Sequence, residues 1–332
     1  MRILVLQTSP LLGQLEHNLT HATSLLKHAL SSSPQSPDLI LLPELSFTGY
    51  NFSDPGHIAG FLETRESSPS REWASGVARE NACYVVVGRP VRNETGGTWN
   101  GVVVVDGRGE VVHEYAKHHM FGTDWRWGCS PGPGFSSFPL QIGSSQRDST
   151  SKDKAIATAN DTESNDTESN KTSHVNGNDV AGNIDITLPV EDNNDPPSPA
   201  RTINTSVGIC MDLNPQDYKS PQAYEYPTYL LSRPSHFIPL ILLPMAWLRH
   251  SDPLDSTHDG PGEMTLNYWI QRLEPLVWDA RRRWVVICNR TGEEDGAEYA
   301  GTSCVLGVGR GEVCVRGLLG REEGFIDVEI DV

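Results

Sequence analysis

The 332-residue chain has no apolar run near the roughly 20 residues that a membrane-spanning helix requires, and its stretch 238–247 is broken by Pro239 and Pro244. The N-terminal run, Met1-Arg2-Ile3-Leu4-Val5-Leu6, carries one positive charge and is too short for the apolar segment of a secretory signal, so it reads as a first strand. Base is scarce: 26 Lys and Arg face 43 Asp and Glu, a formal charge of −17, which excludes a nucleic-acid partner held by bulk attraction. The six cysteines, at 83, 129, 210, 288, 304 and 314, include no C-x-x-C pair, so neither a zinc knuckle nor a thioredoxin-like motif is written here. Most sit among apolar, strand-like residues, which predicts reduced thiols in a cytoplasmic protein. Hydrophobic residues are also few, at 37%.

That deficit is local. From 143 to 201 the chain has no aromatic residue and no cysteine, repeats Asp-Thr-Glu-Ser-Asn at 161–165 and 166–170, and ends in Pro196-Pro197-Ser198-Pro199. Eleven acids and five bases give it −6 of the total charge, leaving −11 on the other 273 residues. Such a stretch cannot bury enough apolar surface to offset the ~1–2 kcal/mol per residue of backbone ordering, so a disordered insertion is expected. A repeat of two units without periodic apolar positions is no solenoid.

Elsewhere strand-like runs recur at 3–7, 39–42, 84–88, 102–105, 205–210, 238–243, 284–288, 303–306 and 325–330. Leu15, Leu19, Ala22, Leu25, Leu26 and Ala29 share one face at helical spacing, and 266–282 reads as a helix that runs into the three arginines 281–283. Asp106-Gly107-Arg108-Gly109 signals a hairpin between 102–105 and 111–115. Strand–helix alternation mixed with hairpins predicts layered α/β architecture: one domain interrupted by the 143–201 insertion.

Three reactive residues follow strand-like runs. Cys210 comes after Ser206-Val207-Gly208-Ile209, where a sharp turn exposes a nucleophile and offers the N–H of Met211 to an oxyanion. Glu44 follows Leu41-Leu42-Pro43, and Lys117 follows Tyr115-Ala116. Singly, each also reads as ordinary: a buried strand cysteine, the solvent end of a strand, an exposed lysine. Their order changes this. The motifs Leu42-Pro43-Glu44-Leu45-Ser46-Phe47, Tyr115-Ala116-Lys117-His118-His119 and Gly208-Ile209-Cys210-Met211-Asp212 resemble those of the nitrilase (carbon–nitrogen hydrolase) superfamily, in which Glu, Lys and Cys occur in this order. Lys117 and Cys210 are 93 residues apart; removing the 59-residue insertion leaves 34, a family-like gap.

The resemblance implies a four-layer α-β-β-α sandwich and amide hydrolysis without cofactor or metal. Cys210 would be the nucleophile, Glu44 the general base and Lys117 the oxyanion partner that also lowers the Cys210 pKa. His118 and His119 read as supporting loop residues. The family's second glutamate is missing from the loop after Lys117, where Asp124 is placed to substitute for it. Cys210-Met211-Asp212-Leu213-Asn214-Pro215, Met245-Ala246-Trp247 and Asn267-Tyr268-Trp269 look most like the fungal N-terminal amidase branch. This implies a polypeptide N-terminus bearing Asn or Gln as substrate, with water as second reactant and a product that feeds N-terminal degradation. Asp124 and Asp212 are then the candidate receivers of the α-ammonium, with Met211, Tyr50 and Trp247 at the pocket. Two other readings stay open: a small-molecule ω-amidase, carbamoylase or nitrilase, and an inactive scaffold binding partners through the insertion.

Overall fold

In the computed structural model, residues 1–33, 35–143, 201–217, 219–232, 235–249 and 262–332 are described. Strands β1 (Arg2–Gln7), β2 (Leu39–Leu41), β3 (Tyr84–Arg92), β4 (Thr98–Val105) and β5 (Val111–Ala116) lie in that order in one sheet. A second sheet contains β6 (Ser136–Ile142), β7 (Arg201–Val207), β8 (Leu240–Met245) and β9 (Arg283–Asn289). The two-residue strands β10 (Glu293–Glu294) and β11 (Ala297–Glu298) pair with each other; β12 (Cys304–Gly309) and β13 (Glu312–Leu318) then extend the second sheet beyond β9. Finally β14 (Gly324–Glu329) returns to the first sheet, antiparallel to β1.

Strand alternation builds the layers. Ile3, Val5, Leu39, Leu41, Val86, Val102 and Val104 face the second sheet in the main core. Their neighbours Leu4, Leu6, Ile40, Val85, Val87, Val103 and Val105 form a separate outer core with Ala22, Leu26, Ala29, Ala74 and Ala78. Those alanines and leucines belong to helices Leu15–Ser32 and Pro69–Asn81, which cover the first sheet. Tyr226, Leu230, Trp269 and Leu276, from helices Glu225–Leu231, Glu263–Arg272 and Glu274–Val277, pack on the second. The result is the expected four-layer α-β-β-α sandwich. Among the described residues no helix is long and apolar enough to cross a membrane.

Several expectations are corrected. The single helix over 266–282 is two: the first ends at Arg272, and Pro275 in the opening turn of the second fits where a helix begins, not where one continues. Its three arginines cap nothing; Arg281 and Arg282 lie in the following turn and Arg283 opens β9 with its guanidinium paired to Asp279. Strand β7 starts earlier than expected and stops at Val207, so Cys210 lies three residues past it. Strands β6 and β13 are not evident from apolar runs, because Ser136, Pro139, Glu312 and Arg316 interrupt them. Of the expected 143–201 insertion, 144–200 lies outside the described residues, and Arg201 is the first residue of β7. The flanks of that segment are described: Ile142 and Arg201 are cross-strand partners at the end of the β6–β7 pair.

Candidate active site

Four loops meet above the ends of the central strands. The first leaves β2 through Leu42-Pro43-Glu44 and crosses β3 so closely that a Cβ on Gly88 would lie 2.5 Å from the Pro43 oxygen and 2.7 Å from the Glu44 Cα. Only glycine permits that crossing. Glu44 is fully buried, and each oxygen is held: Oε1 accepts from Lys117 Nζ at 2.6 Å and from Asn100 Nδ2 at 2.6 Å, and Oε2 accepts from the N–H of Ala246 at 2.8 Å.

Lys117 follows β5, its N–H bonded to the Asn100 carbonyl at 2.8 Å, and its ammonium also meets Asp124 Oδ2 at 2.8 Å. Burial works against that charge, but the carboxylates of Asp124 and Glu44 outweigh it and hold the Lys117 pKa well above the ordinary lysine value. Burial raises the Glu44 pKa despite Lys117, giving the carboxylate more affinity for a proton than a surface glutamate has.

Cys210 adopts φ 43° at the start of the short turn Cys210–Leu213, a left-handed conformation that costs energy in a residue with a Cβ. The N–H of Ala246, which donates to Glu44 Oε2, favours the Cys210 thiolate, and the sulfur feels the charges of Glu44, Lys117 and Asp124. The structure therefore brings Glu44, Lys117 and Cys210 into one buried cluster. Lys117 pulls the Cys210 pKa down as expected, but burial and the adjacent Glu44 outweigh it and raise the pKa well above the ordinary thiol. The direction favours the neutral thiol, with the Glu44 carboxylate beside it.

Both acids named for the substrate ammonium are already engaged. Asp124 Oδ1 accepts from Tyr50 Oη and Asn100 Nδ2, each at 3.0 Å, while Oδ2 takes Lys117 and the Phe121 N–H, at 2.8 Å, that opens the helix Gly122–Arg126. Asp212 Oδ1 accepts from the N–H groups of His118, at 3.0 Å, and His119, at 2.8 Å. Its Oδ2 accepts from Tyr115 Oη, at 2.8 Å, and the Ile209 N–H, at 2.7 Å. Asp212 braces the cysteine turn against the lysine loop and Asp124 orients Lys117; neither has an oxygen to spare for an ammonium.

The other candidates fall around this cluster. Met211 is buried, and its N–H has no hydrogen-bond acceptor among the described residues. Tyr50 lies with its ring centroid 5.5 Å from Lys117 Nζ. Trp247, half-buried, follows Ala246 and packs on Tyr268 and Trp269 with centroids at 5.6 and 6.0 Å. Asn100 and Ala246 escaped the sequence reading. Asn100 had a signal, since it shares the inward register of Val102 and Val104 and is polar; the Ala246 N–H is a backbone group with none. Among the described residues no cluster of His, Cys, Asp and Glu is arranged to hold a metal ion.

The carbon–nitrogen hydrolase family model matches residues 2–142. The protein N-terminal amidase of Schizosaccharomyces pombe is 28% identical over 348 aligned positions, spanning 100% of both chains. That of Saccharomyces cerevisiae is 27% identical over 77% of this chain and 46% of its own length. Among solved structures, an N-terminal amidase with an Asn-Glu-Ala peptide superposes with TM-score 0.76 at 19% identity, covering 99% of this chain and 97% of that one. A Nesterenkonia amidase of the nitrilase superfamily gives TM-score 0.60 at 19% identity over 100% and 92%. The chain thus carries a carbon–nitrogen hydrolase match over residues 2–142, is similar end to end to a fungal N-terminal amidase, and has the fold of the nitrilase-type structures.

Proposed function

We propose that this protein deamidates N-terminal Asn and Gln of polypeptides, giving Asp and Glu and releasing ammonia. The observation that carries the reading is the buried Glu44–Lys117–Cys210 cluster in a chain that aligns end to end with a fungal N-terminal amidase. Related structures described with Asn-Glu-Ala and Gln-Val peptides support the substrate class. Glu44 takes the thiol proton as Cys210 attacks the side-chain carbonyl; Lys117 and the Met211 N–H stabilise the oxyanion; Glu44 returns the proton to nitrogen and ammonia departs. Glu44 then activates water, which cleaves the thioester to acid and restores the thiol.

Lys117 must stay charged for this, and its two carboxylates ensure that it does. Asp124 supplies the positioning that the family's second glutamate gives elsewhere, with Asn100 bridging it to Glu44. All six cysteines are free thiols, which supports a cytoplasmic setting. An acidic product terminus would enter an N-terminal degradation route. The test is mass spectrometry on peptides differing only in residue one. Gain of acid at Asn and Gln alone is expected; turnover restricted to small ω-amides, carbamoyl amides or nitriles, or none at all, contradicts the proposal.

A further inference from the structure

Tyr299 is 2% exposed, yet its hydroxyl has no hydrogen-bond partner among the described residues. The rest of the residue is firmly placed. Its N–H donates to the Gly292 carbonyl at 2.9 Å, it bridges to Leu248, and the next N–H, of Ala300, donates to the Trp247 carbonyl at 2.9 Å. The Arg290 guanidinium covers its ring at 3.9 Å, itself anchored by Glu294 at 2.6 Å and the Pro10 carbonyl at 2.7 Å. Tyr299 thus adjoins the strand end whose Ala246 N–H holds Glu44, within one apolar cluster with Leu45, Tyr50 and Ala246, and it feels the charges of Glu44 and Cys210.

A buried hydroxyl left unpaired while its surroundings are fixed calls for a partner. Resting on the N-terminal amidase reading, the substrate supplies one. Its side-chain amide is occupied at both ends, the oxygen by Lys117 and the Met211 N–H and the nitrogen by Glu44, which leaves the α-ammonium to be received. Asp124 and Asp212 are saturated, and Glu294, which takes the Tyr50 and Asn51 N–H groups at Oε1, has its charge already matched by Arg290 at Oε2. Asn100 Oδ1 is also unpaired, but it lies among the groups that handle the amide, between Glu44 and Asp124. Tyr299 instead bridges to Leu248, next to Trp247, whose ring packs on the 39% exposed Tyr268. We propose that the Tyr299 hydroxyl is a substrate-binding group that accepts a hydrogen bond from the α-ammonium of the N-terminal residue.

Tyr299→Phe removes only the oxygen. In full-length Cys210→Ala protein, calorimetric Kd values for an Asn-starting tripeptide and its succinamoyl analogue, which lacks the α-amino group, isolate the contact. Tyr299→Phe is expected to raise the Kd of the Asn peptide about tenfold, to leave that of the analogue unchanged and not to lower Tm, since an unpaired hydroxyl is lost. An unchanged Asn-peptide Kd, or an equal rise for both ligands, overturns the assignment. If Cys210→Ala alone fails to bind the Asn peptide, the underlying function is what fails.

Discussion

At the residue scale, the site is two carboxylates around one ammonium beside a protonated thiol, and its behaviour follows from those charges. Lys117→Met leaves Glu44 and Asp124 buried without their cation, so a loss of about 3–5 kcal/mol in urea unfolding is expected together with loss of turnover. Asp212→Ala strands the donors from Tyr115, Ile209, His118 and His119; even partial rescue by water leaves a cost of roughly 3 kcal/mol or more. The pH profile has a definite sign. Glu44 acts as a base only when ionised, and burial raises its pKa, so kcat/KM should fall on acidification at a pH above the ordinary carboxylate range. Lys117 is held charged far into the alkaline range and contributes no alkaline limb near neutrality. Initial rates from acid to alkaline pH check both limbs. The meeting of Glu44, Lys117 and Cys210 was legible because three motifs stand in order; the saturation of Asp124 and Asp212 was not, because a sequence names an acid without showing how many donors already face it.

At the scale of elements, alternation made most strands readable: Ile3 and Val5 face one core, Leu4 and Leu6 the other. Length and polarity hid the rest. Strand β6 reads Ser-Ser-Phe-Pro-Leu-Gln-Ile, and only Phe138 and Leu140 face inward deeply enough to be buried. The helix expected over 266–282 shows how an apolar run can span two elements when a proline fits the first turn of the second. Gly88 carries the clearest prediction of this scale. Gly88→Ala places a methyl against Pro43 and Glu44, displacing Glu44; activity should drop by tenfold or more while stability falls by about 1–3 kcal/mol. Paired kcat and urea-unfolding measurements separate the two effects.

For the whole molecule, the described residues form two apolar-cored sheets with covering helices, and Ile142 and Arg201, which flank 143–200, are cross-strand partners. Because Ile142 and Arg201 are cross-strand partners, replacing 144–200 with a short Asn-Gly turn should preserve both Tm and turnover. The net charge of −17 matters chiefly through the substrate, since a cationic peptide terminus is the kind of ligand that an acidic surface does not repel. The most direct measurement of the central claim is ammonia release by the full chain from an Asn-starting peptide, free and N-acetylated, with Cys210→Ala protein as control. The account predicts release from the free peptide, little from the acetylated one and none from the variant. Equal turnover of both peptides, or undiminished turnover by Cys210→Ala, would contradict it.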